Sequence, residues 1–160
     1  MELKIITEAE KDIMLDLLTD DSIKQTYMLP DFESRETAIP LFQRLCELSK
    51  DKTHFVRGIF TDGKLVGFLN DVEIENGTIE LGYVIHPDHW GKGYATAALK
   101  VAITQLFDLG YHTVLAGAFA ENPASLRVME KAGMRKISKT DTIEYRGILQ
   151  SCVYCQIDRN

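Results

Sequence analysis

Residues 86–96 constrain the fold most, because they place two glycines between a β-like run and a helix pattern. The run covers residues 78–85, and an apolar stripe follows from about Gly93 to Leu109. A strand, a glycine turn and a helix in this order bring free backbone N–H groups and the positive end of a helix dipole to one point. Glycines let an anion approach the main chain, and Lys92 adds a positive charge. The stretch therefore predicts an anion-binding loop.

Two common nucleotide-binding patterns do not fit this loop. The P-loop pattern needs a glycine where His86 stands and a serine or threonine where Gly93 stands. The Rossmann pattern needs a third glycine where Thr96 stands, and it opens the first βα unit of a parallel sheet. A purely structural junction, with glycines needed only for packing, remains open at this point.

The loop resembles the pyrophosphate loop of the acetyl-CoA-dependent N-acetyltransferases of the GNAT superfamily, which reads Gln/Arg-x-x-Gly-x-Gly/Ala. The pattern falls on Trp90, Gly91, Lys92, Gly93, Tyr94 and Ala95. Trp90 replaces the Gln or Arg, and this variant is similar to the branch that contains the RimJ and RimL ribosomal-protein acetyltransferases. That branch often has a Glu where this chain has Ala97, so the resemblance leads us to expect a different acceptor contact or charge network.

A second motif at residues 121–134 supports the same resemblance. In the RimJ/RimL-like branch the stretch reads Asn-x-x-Ser, a hydrophobic pair, and Glu-Lys-x-Gly-Phe. The matching residues are Asn122, Ser125, Glu130, Lys131 and Gly133, with Met134 in place of the Phe. It follows the glycine loop after one helix and one strand. A local explanation also fits, in which Asn122 caps a helix and Ser125 lies in its first turn.

Periodicity and turn signals predict the order β-α-α-β-β-β-α-β-α-β-β along nearly the whole chain. Asp62-Gly63 and Asn76-Gly77 predict tight hairpin turns. Pro40, inside the second helix pattern, predicts a kink or a start near residue 39. The resemblance implies the GNAT fold, an α+β (mixed α/β) class. Its central, mostly antiparallel twisted sheet of six to seven strands is splayed in the middle and flanked by about four helices.

Length and charge limit the domains and the partners. A chain of 160 residues suits one domain, here a single N-acetyltransferase domain over residues 1–160. The net charge of −6 argues against a nucleic-acid partner and suits a cationic substrate better. The start of the chain is charged, and no apolar stretch approaches transmembrane length, so we expect no secretory signal and no membrane partner.

Three cysteines, Cys46, Cys152 and Cys155, form an odd and sparse set. The last two spell C-x-x-C, but there is no second pair of the kind a zinc site needs. They also lie in a strand-like run, where positions three apart face opposite sides. We therefore expect two strand cysteines, no metal, and a reducing cytoplasm as the location.

The resemblance implies that acetyl-CoA and an amine react directly in a ternary complex. The pantetheine arm would pair with the strand edge at residues 83–85, and backbone amides there would polarise the thioester carbonyl. The pyrophosphate would bind the amides of residues 91–96, and the Asn122 side chain would bind the pantetheine arm. The implied cofactor-binding residues are Tyr83, Val84, Ile85, Trp90, Gly91, Lys92, Gly93, Tyr94, Ala95, Thr96, Asn122 and Ser125.

The departing thiolate needs a proton donor. Many GNAT enzymes use a Tyr seven residues after the Asn, but that position is Met129 here. Methionine has no proton to give, so the role would pass to Ser125, directly or through water.

The amine needs a base, because a free alkylamine has a pKa of about 10.4. Glu80 is the first candidate, since it precedes the strand residues implied to bind the cofactor. In a regular strand Glu80 and Val84 share a face while Tyr83 points the other way, and a bulge near Gly82 would change this. The alternative bases are Asp71, Glu73 and Tyr83.

The sequence thus predicts an N-acetyltransferase that acts on a primary amine. A protein N-terminus, a polyamine, an aminoglycoside and a small amine metabolite remain open as acceptors. A second hypothesis is an acetyl-CoA-binding sensor or interaction module with little turnover, motivated by Met129 and the unassigned base. GNAT proteins are often dimers, so a homodimer is also an open expectation.

Overall fold

The computed structural model describes all residues from Met1 to Asn160. The helices are α1 (Lys11–Leu18), α2 (Asp21–Lys24), α3 (Arg35–Lys50), α4 (Tyr94–Asp108) and α5 (Pro123–Lys131). The strands are β1 (Glu2–Lys4), β2 (Arg57–Thr61), β3 (Lys64–Glu75), β4 (Thr78–Ile85), β5 (Thr113–Phe119), β6 (Arg135–Tyr145) and β7 (Ile148–Asp158). Short 3₁₀ turns cover Glu8–Glu10 and Pro87–His89.

The seven strands form one sheet in the order β1-β2-β3-β4-β5-β7-β6. The ladder between β4 and β5 is parallel, and the ladders β1–β2, β2–β3, β5–β7 and β6–β7 are antiparallel. This confirms the expected mixed class with a mostly antiparallel sheet. The two predicted hairpin turns are also confirmed: their central residues all have positive φ, +51° and +77° at Asp62-Gly63 and +50° and +77° at Asn76-Gly77.

The chain divides into two compact units, and each is described by itself. The first unit contains residues 1–70 and 83–94. Its core is a cluster of buried apolar side chains from α1, α3, β2 and β3, including Met14, Leu18, Phe42, Phe60 and Phe68. The Ser49 hydroxyl of this unit is also buried, and it accepts from the Ile6 N–H at 3.0 Å and donates to the Val56 carbonyl at 2.7 Å. One side chain thus satisfies two buried backbone groups.

Helix α3 corrects the expectation at Pro40. The predicted late start near residue 39 is wrong, because the helix begins at Arg35 and runs through Pro40 to Lys50. The helix start is fixed at Ser34, whose N–H donates to the Thr37 hydroxyl at 3.1 Å. The carbonyl that loses its bond to Pro40 belongs to Glu36, and both residues are exposed. Water can satisfy that carbonyl, so the proline is accommodated near the first turn.

The second unit contains residues 71–82 and 95–160. Along β4 and β5, Ile79, Leu81, Val114 and Ala116 are buried, while the alternating positions between them are half-buried. The two faces of this part of the sheet therefore differ, as period-two alternation requires. The half-buried face carries Glu80, which pairs in the ladder with Leu115.

Strand β6 departs from its register with β7 in one place. Lys136 pairs with Cys155 and Thr140 with Val153, so residues 137–139 lie opposite Tyr154 alone. Ile137 joins the apolar cluster of Phe119, Cys152 and Tyr154, and the Lys139 ammonium lies over the Tyr154 ring, 4.4 Å from its centroid. The irregularity therefore places one lysine on the half-buried face.

Candidate active site

The glycine loop has the backbone geometry that an anion site needs. Gly91 has φ +77° and Gly93 has φ +78°, both in the left-handed region that favours glycine. A Cβ atom added at either position would meet no atom within 4 Å. The loop leads directly into α4 at Tyr94, with Ala95 and Thr96 half-buried in the first helical turn. The main chain is therefore open to a bound group next to a 15-residue helix.

Trp90 and Lys92 are the two large exposed side chains of this loop. The Trp90 indole N–H donates to the Ile85 carbonyl at 2.7 Å, while 52% of the residue stays exposed. The Lys92 ammonium lies 3.4 Å from His89 Nδ1 and 6.0 Å from the centroid of the Tyr94 ring. The tryptophan thus ties the loop to the end of β4, and the lysine supplies an exposed positive charge.

Residues Tyr83, Val84 and Ile85 end strand β4 in the first unit. The parallel ladder of β4 stops at Leu81, four residues before the strand ends at Ile85. Gly67 of β3 approaches this segment closely, because a Cβ there would overlap the Val84 carbonyl oxygen. The ladder with β5 therefore ends before residues 83–85.

The alternation of burial along β4 breaks at the same place. Gly82 and Tyr83 are both half-buried, and Val84 and Ile85 are both buried. In a regular strand, consecutive residues face opposite sides of the sheet and should differ in burial, and here two consecutive pairs do not. The bulge near Gly82 considered from the sequence stays a prediction.

The second motif begins helix α5. Asn122 is the N-cap, and its Oδ1 accepts from the Ser125 N–H at 3.3 Å. Because Oδ1 is used in this cap, the side-chain NH₂ is the group of Asn122 that can donate to a bound molecule. Ser125 is half-buried in the first turn, whereas Met129 is fully buried in the core. The geometry is thus compatible with both interpretations of Asn122, as a helix N-cap and as a residue that binds the pantetheine arm.

Glu80 lies in a polar cleft of the second unit with a volume of about 390 Å³. Burial raises the pKa of its carboxyl group, Lys139 opposes that rise, and Glu73 and Asp141 add to it. Glu73, one of the alternative bases, lines the same cleft. A carboxylate with a raised pKa is a better proton acceptor than an ordinary glutamate. Glu80 therefore holds a proton more tightly than an exposed glutamate does.

The sequence did not predict the other charged residues around Glu80. The Tyr154 hydroxyl donates to Asp141 at 2.7 Å, and burial followed by this bond raises the pKa of the Tyr154 phenol. Lys139 lies over the same ring. No local pattern marks these residues, because only the irregular β6 register brings Lys139 to the Tyr154 ring. A hydrophobic alternation analysis of β6 would have placed its residues in a regular strand.

The predicted site residues fall into two groups. Tyr83, Val84, Ile85 and residues 90–94 belong to the first unit, and Glu80, Ala95, Thr96, Asn122 and Ser125 belong to the second. Cys152 and Cys155 are free and buried. No group of three or more His, Cys, Asp or Glu side chains is arranged to hold a metal ion. No helix combines the length and apolar character needed to cross a membrane.

Comparison with known proteins shows the class. The family model described as "Acetyltransferase (GNAT) domain" matches residues 1–135. The Bacillus subtilis protein named "Probable N-acetyltransferase YjcK" is 33% identical over 143 residues, which is 82% of this chain and 77% of that protein. Both matches define an acetyltransferase, an enzyme of the acyltransferase class. The chain belongs to the GNAT acetyltransferase family.

Solved structures confirm the fold. A spermidine N-acetyltransferase from Vibrio cholerae, in complex with CoA and spermine, superposes with a TM-score of 0.82 at 20% identity and covers 98% of this chain and 94% of that one. A ribosomal-protein-alanine N-acetyltransferase from Brucella melitensis gives a TM-score of 0.78 at 17% identity. This match covers 99% of this chain and 100% of that one. At these identities the similarity concerns the fold.

Proposed function

We propose that this protein transfers the acetyl group of acetyl-CoA directly to a primary amine. The observation that carries the proposal is the open backbone at Gly91 and Gly93, which stands immediately before α4 in a chain of the GNAT family. A diphosphate bound there would accept from several backbone N–H groups at the positive end of the helix dipole. Lys92 would add its charge on the solvent side.

We assign the remaining cofactor contacts to the elements described above. The pantetheine arm pairs with Tyr83, Val84 and Ile85, beyond the end of the β4–β5 ladder. The Ile85 carbonyl already accepts from Trp90, so the backbone N–H groups of this segment are its donors toward the arm and the thioester carbonyl. The Asn122 NH₂ group donates to the arm while Oδ1 keeps the helix cap. Tyr94, Ala95 and Thr96 bind through the first turn of α4.

The chemistry needs two proton transfers. The amine nitrogen attacks the thioester carbonyl carbon, and Glu80 accepts the proton that the nitrogen loses, directly or through water. The carbon–sulfur bond then breaks, and Ser125 protonates the departing thiolate, directly or through water. The raised pKa of Glu80 supports its role, since a carboxylate of ordinary pKa holds a proton less well. Asp71, Glu73 and Tyr83 remain the alternative bases.

A second candidate function is an acetyl-CoA-binding sensor with little or no turnover. The observation in its favour is Met129, which stands where many GNAT enzymes have the tyrosine acid and which is fully buried. If Ser125 does not replace that acid, the chain still binds acetyl-CoA but transfers the acetyl group slowly.

The acceptor, assembly and location belong to the same proposal. The whole chain, 1–160, acts as a single N-acetyltransferase domain of the RimJ/RimL-like branch, in the cytoplasm and without a metal. A ribosomal-protein-alanine N-acetyltransferase and a spermidine N-acetyltransferase share the fold, so a protein N-terminus and a polyamine are both reasonable acceptors. An aminoglycoside or a small amine metabolite stays open, as does a homodimer.

Thermal unfolding with acetyl-CoA, followed by an amine panel and a free-thiol assay, tests the proposal. Acetyl-CoA at a thousand times its Kd should stabilise the fold by about 4 kcal/mol. Stabilisation together with amine-dependent thiol release supports the transferase. Stabilisation with only slow thiol release, the same with every amine, favours the sensor. A protein that shows neither effect contradicts both.

A further inference from the structure

Two histidines stand immediately before the glycine loop, at the start and the end of the short turn that closes on His89. The turn is fixed by its own backbone, because the His89 N–H donates to the His86 carbonyl at 2.8 Å. The centroids of the two imidazole rings lie 6.2 Å apart, and the His89 ring centroid lies 6.0 Å from that of Tyr94. The imidazole of His89 therefore has ring neighbours in His86 and Tyr94, and both restrict its orientation.

The Lys92 side chain reaches this imidazole. Its ammonium nitrogen lies 3.4 Å from His89 Nδ1 and 6.0 Å from the centroid of the Tyr94 ring. An ammonium group only donates, so Nδ1 must accept in this contact and the proton of the imidazole lies on Nε2. The carboxylate of Asp88 contacts the other histidine, with Oδ2 3.7 Å from His86 Nδ1. The Lys92 ammonium is thus located by an uncharged acceptor and an aromatic ring, and neither of them neutralises its charge.

The contact with His89 orders a flexible side chain before any ligand binds. A lysine has several rotatable bonds, and fixing them against a ligand costs conformational entropy. The ammonium has three N–H donors, so one bond to His89 leaves two for the oxygens of a phosphate. Lys92 itself lies between Gly91 and Gly93, where the main chain is open to a bound group. A preordered positive charge therefore stands at the glycine loop.

We propose that His89 is a positioning residue for the cofactor: it accepts from the Lys92 ammonium and directs that charge toward the diphosphate of acetyl-CoA on the glycine loop. This assignment rests on the proposed function, because it concerns the same cofactor site. His89 makes no bond to the reacting atoms and acts through Lys92. One rotamer of Lys92 serves both contacts, so loss of the acceptor nitrogen weakens the binding of the cofactor.

Two substitutions of His89 separate its acceptor atom from its ring. His89→Phe keeps a ring beside Tyr94 and removes the acceptor, so we expect it to raise the Kd of CoA about fivefold in isothermal titration calorimetry. His89→Asn removes the ring and keeps an acceptor, because Oδ1 of asparagine takes nearly the place of Nδ1. Its Kd should stay within about twofold of the wild type. His112→Ala is the control, because it removes an imidazole that contacts Asn76 and Thr113 in the second unit, and it should leave the Kd unchanged.

A double-mutant cycle tests whether His89 acts through the lysine. Lys92→Met removes the ammonium and keeps most of the side-chain length, so it should weaken CoA binding at least as much as His89→Phe does. When both substitutions are combined, the loss should be no greater than in Lys92→Met alone. A further fivefold loss in the combined variant would show that His89 acts independently of Lys92, and it would overturn the assignment.

The same titrations distinguish failure of this assignment from failure of the proposed function. If the wild type binds CoA and His89→Phe binds it equally well, the assignment is overturned and the proposed function stands. A loss in His89→Asn as large as in His89→Phe would attribute the effect to ring packing and would also overturn the assignment. If the wild type does not bind CoA, the proposed function fails and the assignment fails with it.

Discussion

Replacing Gly93 separates the glycine loop's proposed binding role from its contribution to folding. An alanine held at φ +78° costs about 1–2 kcal/mol, and its Cβ would meet no neighbour within 4 Å to add to that cost. Gly147, in the turn between β6 and β7, has φ +76° and the same open surroundings. Gly93→Ala and Gly147→Ala should therefore lower the Tm by similar amounts, roughly 2–8 °C.

Glutamate at the same two positions adds a negative charge. At Gly93 that charge would lie beside the proposed pyrophosphate site, and at Gly147 it would not. A carboxylate about 4 Å from a bound phosphate at a protein surface is repelled by about 4 kcal/mol. Since 1.4 kcal/mol is a factor of ten in Kd, Gly93→Glu should weaken acetyl-CoA binding by about a thousandfold. Gly147→Glu has the same charge change and backbone strain and should leave the affinity unchanged.

Isothermal titration calorimetry with acetyl-CoA and thermal unfolding of the free proteins provide the two measurements. The reasoning is refuted if Gly93→Glu unfolds at the temperature of Gly147→Glu and still binds acetyl-CoA within about threefold of the wild type. The loop would then be a structural junction, and the pyrophosphate would have to bind elsewhere. Equal loss of affinity in both glutamate variants would show that the effect is not local.

Four further results are expected. Ser125→Ala should leave acetyl-CoA affinity intact and lower kcat by about a hundredfold in the thiol assay, and an unchanged kcat would remove Ser125 from the mechanism. Activity should fall as the pH drops through the raised pKa of Glu80, so its acidic limb should lie above the ordinary glutamate range and vanish in Glu80→Gln. Because a raised pKa means that the ionised carboxylate opposes folding above that pKa, Glu80→Gln should also raise the Tm at neutral pH, and a fall would contradict the assigned burial. Ser49→Ala should cost about 2–4 kcal/mol in urea unfolding, since two buried backbone groups lose their partner.

Turns and helix caps could be predicted from the sequence, because each depends on the backbone conformation of only a few neighbouring residues. The Asp62-Gly63 and Asn76-Gly77 turns require positive φ, which few residues other than glycine and asparagine or aspartate accept, so their positions could be identified directly. Asn122 caps α5 as its sequence neighbours indicate. The mixed sheet followed from the order of these elements together with the resemblance. Gly67, in a strand interior, is a further local signal, because a glycine there indicates the close approach of another backbone segment.

Contacts set by non-local register could not be predicted in the same way. Lys139 reaches the Tyr154 ring only because three residues of β6 lie opposite one residue of β7, and no nearby residue specifies that irregularity. Pro40 is the opposite case, because this proline predicted a late helix start and the helix nevertheless continues through it. The exposed Glu36 carbonyl can bond to water, so the proline does not stop the helix.

Trp90 is the only tryptophan in the chain, and its indole joins the glycine loop to the carbonyl of Ile85. The intrinsic fluorescence of the native protein therefore reports on that loop without any engineered label. With about half of the residue exposed, the emission of the indole depends on solvent, and any molecule that covers the loop changes it. Stopped-flow mixing could thus follow occupation of the loop in real time, separately from later chemical steps.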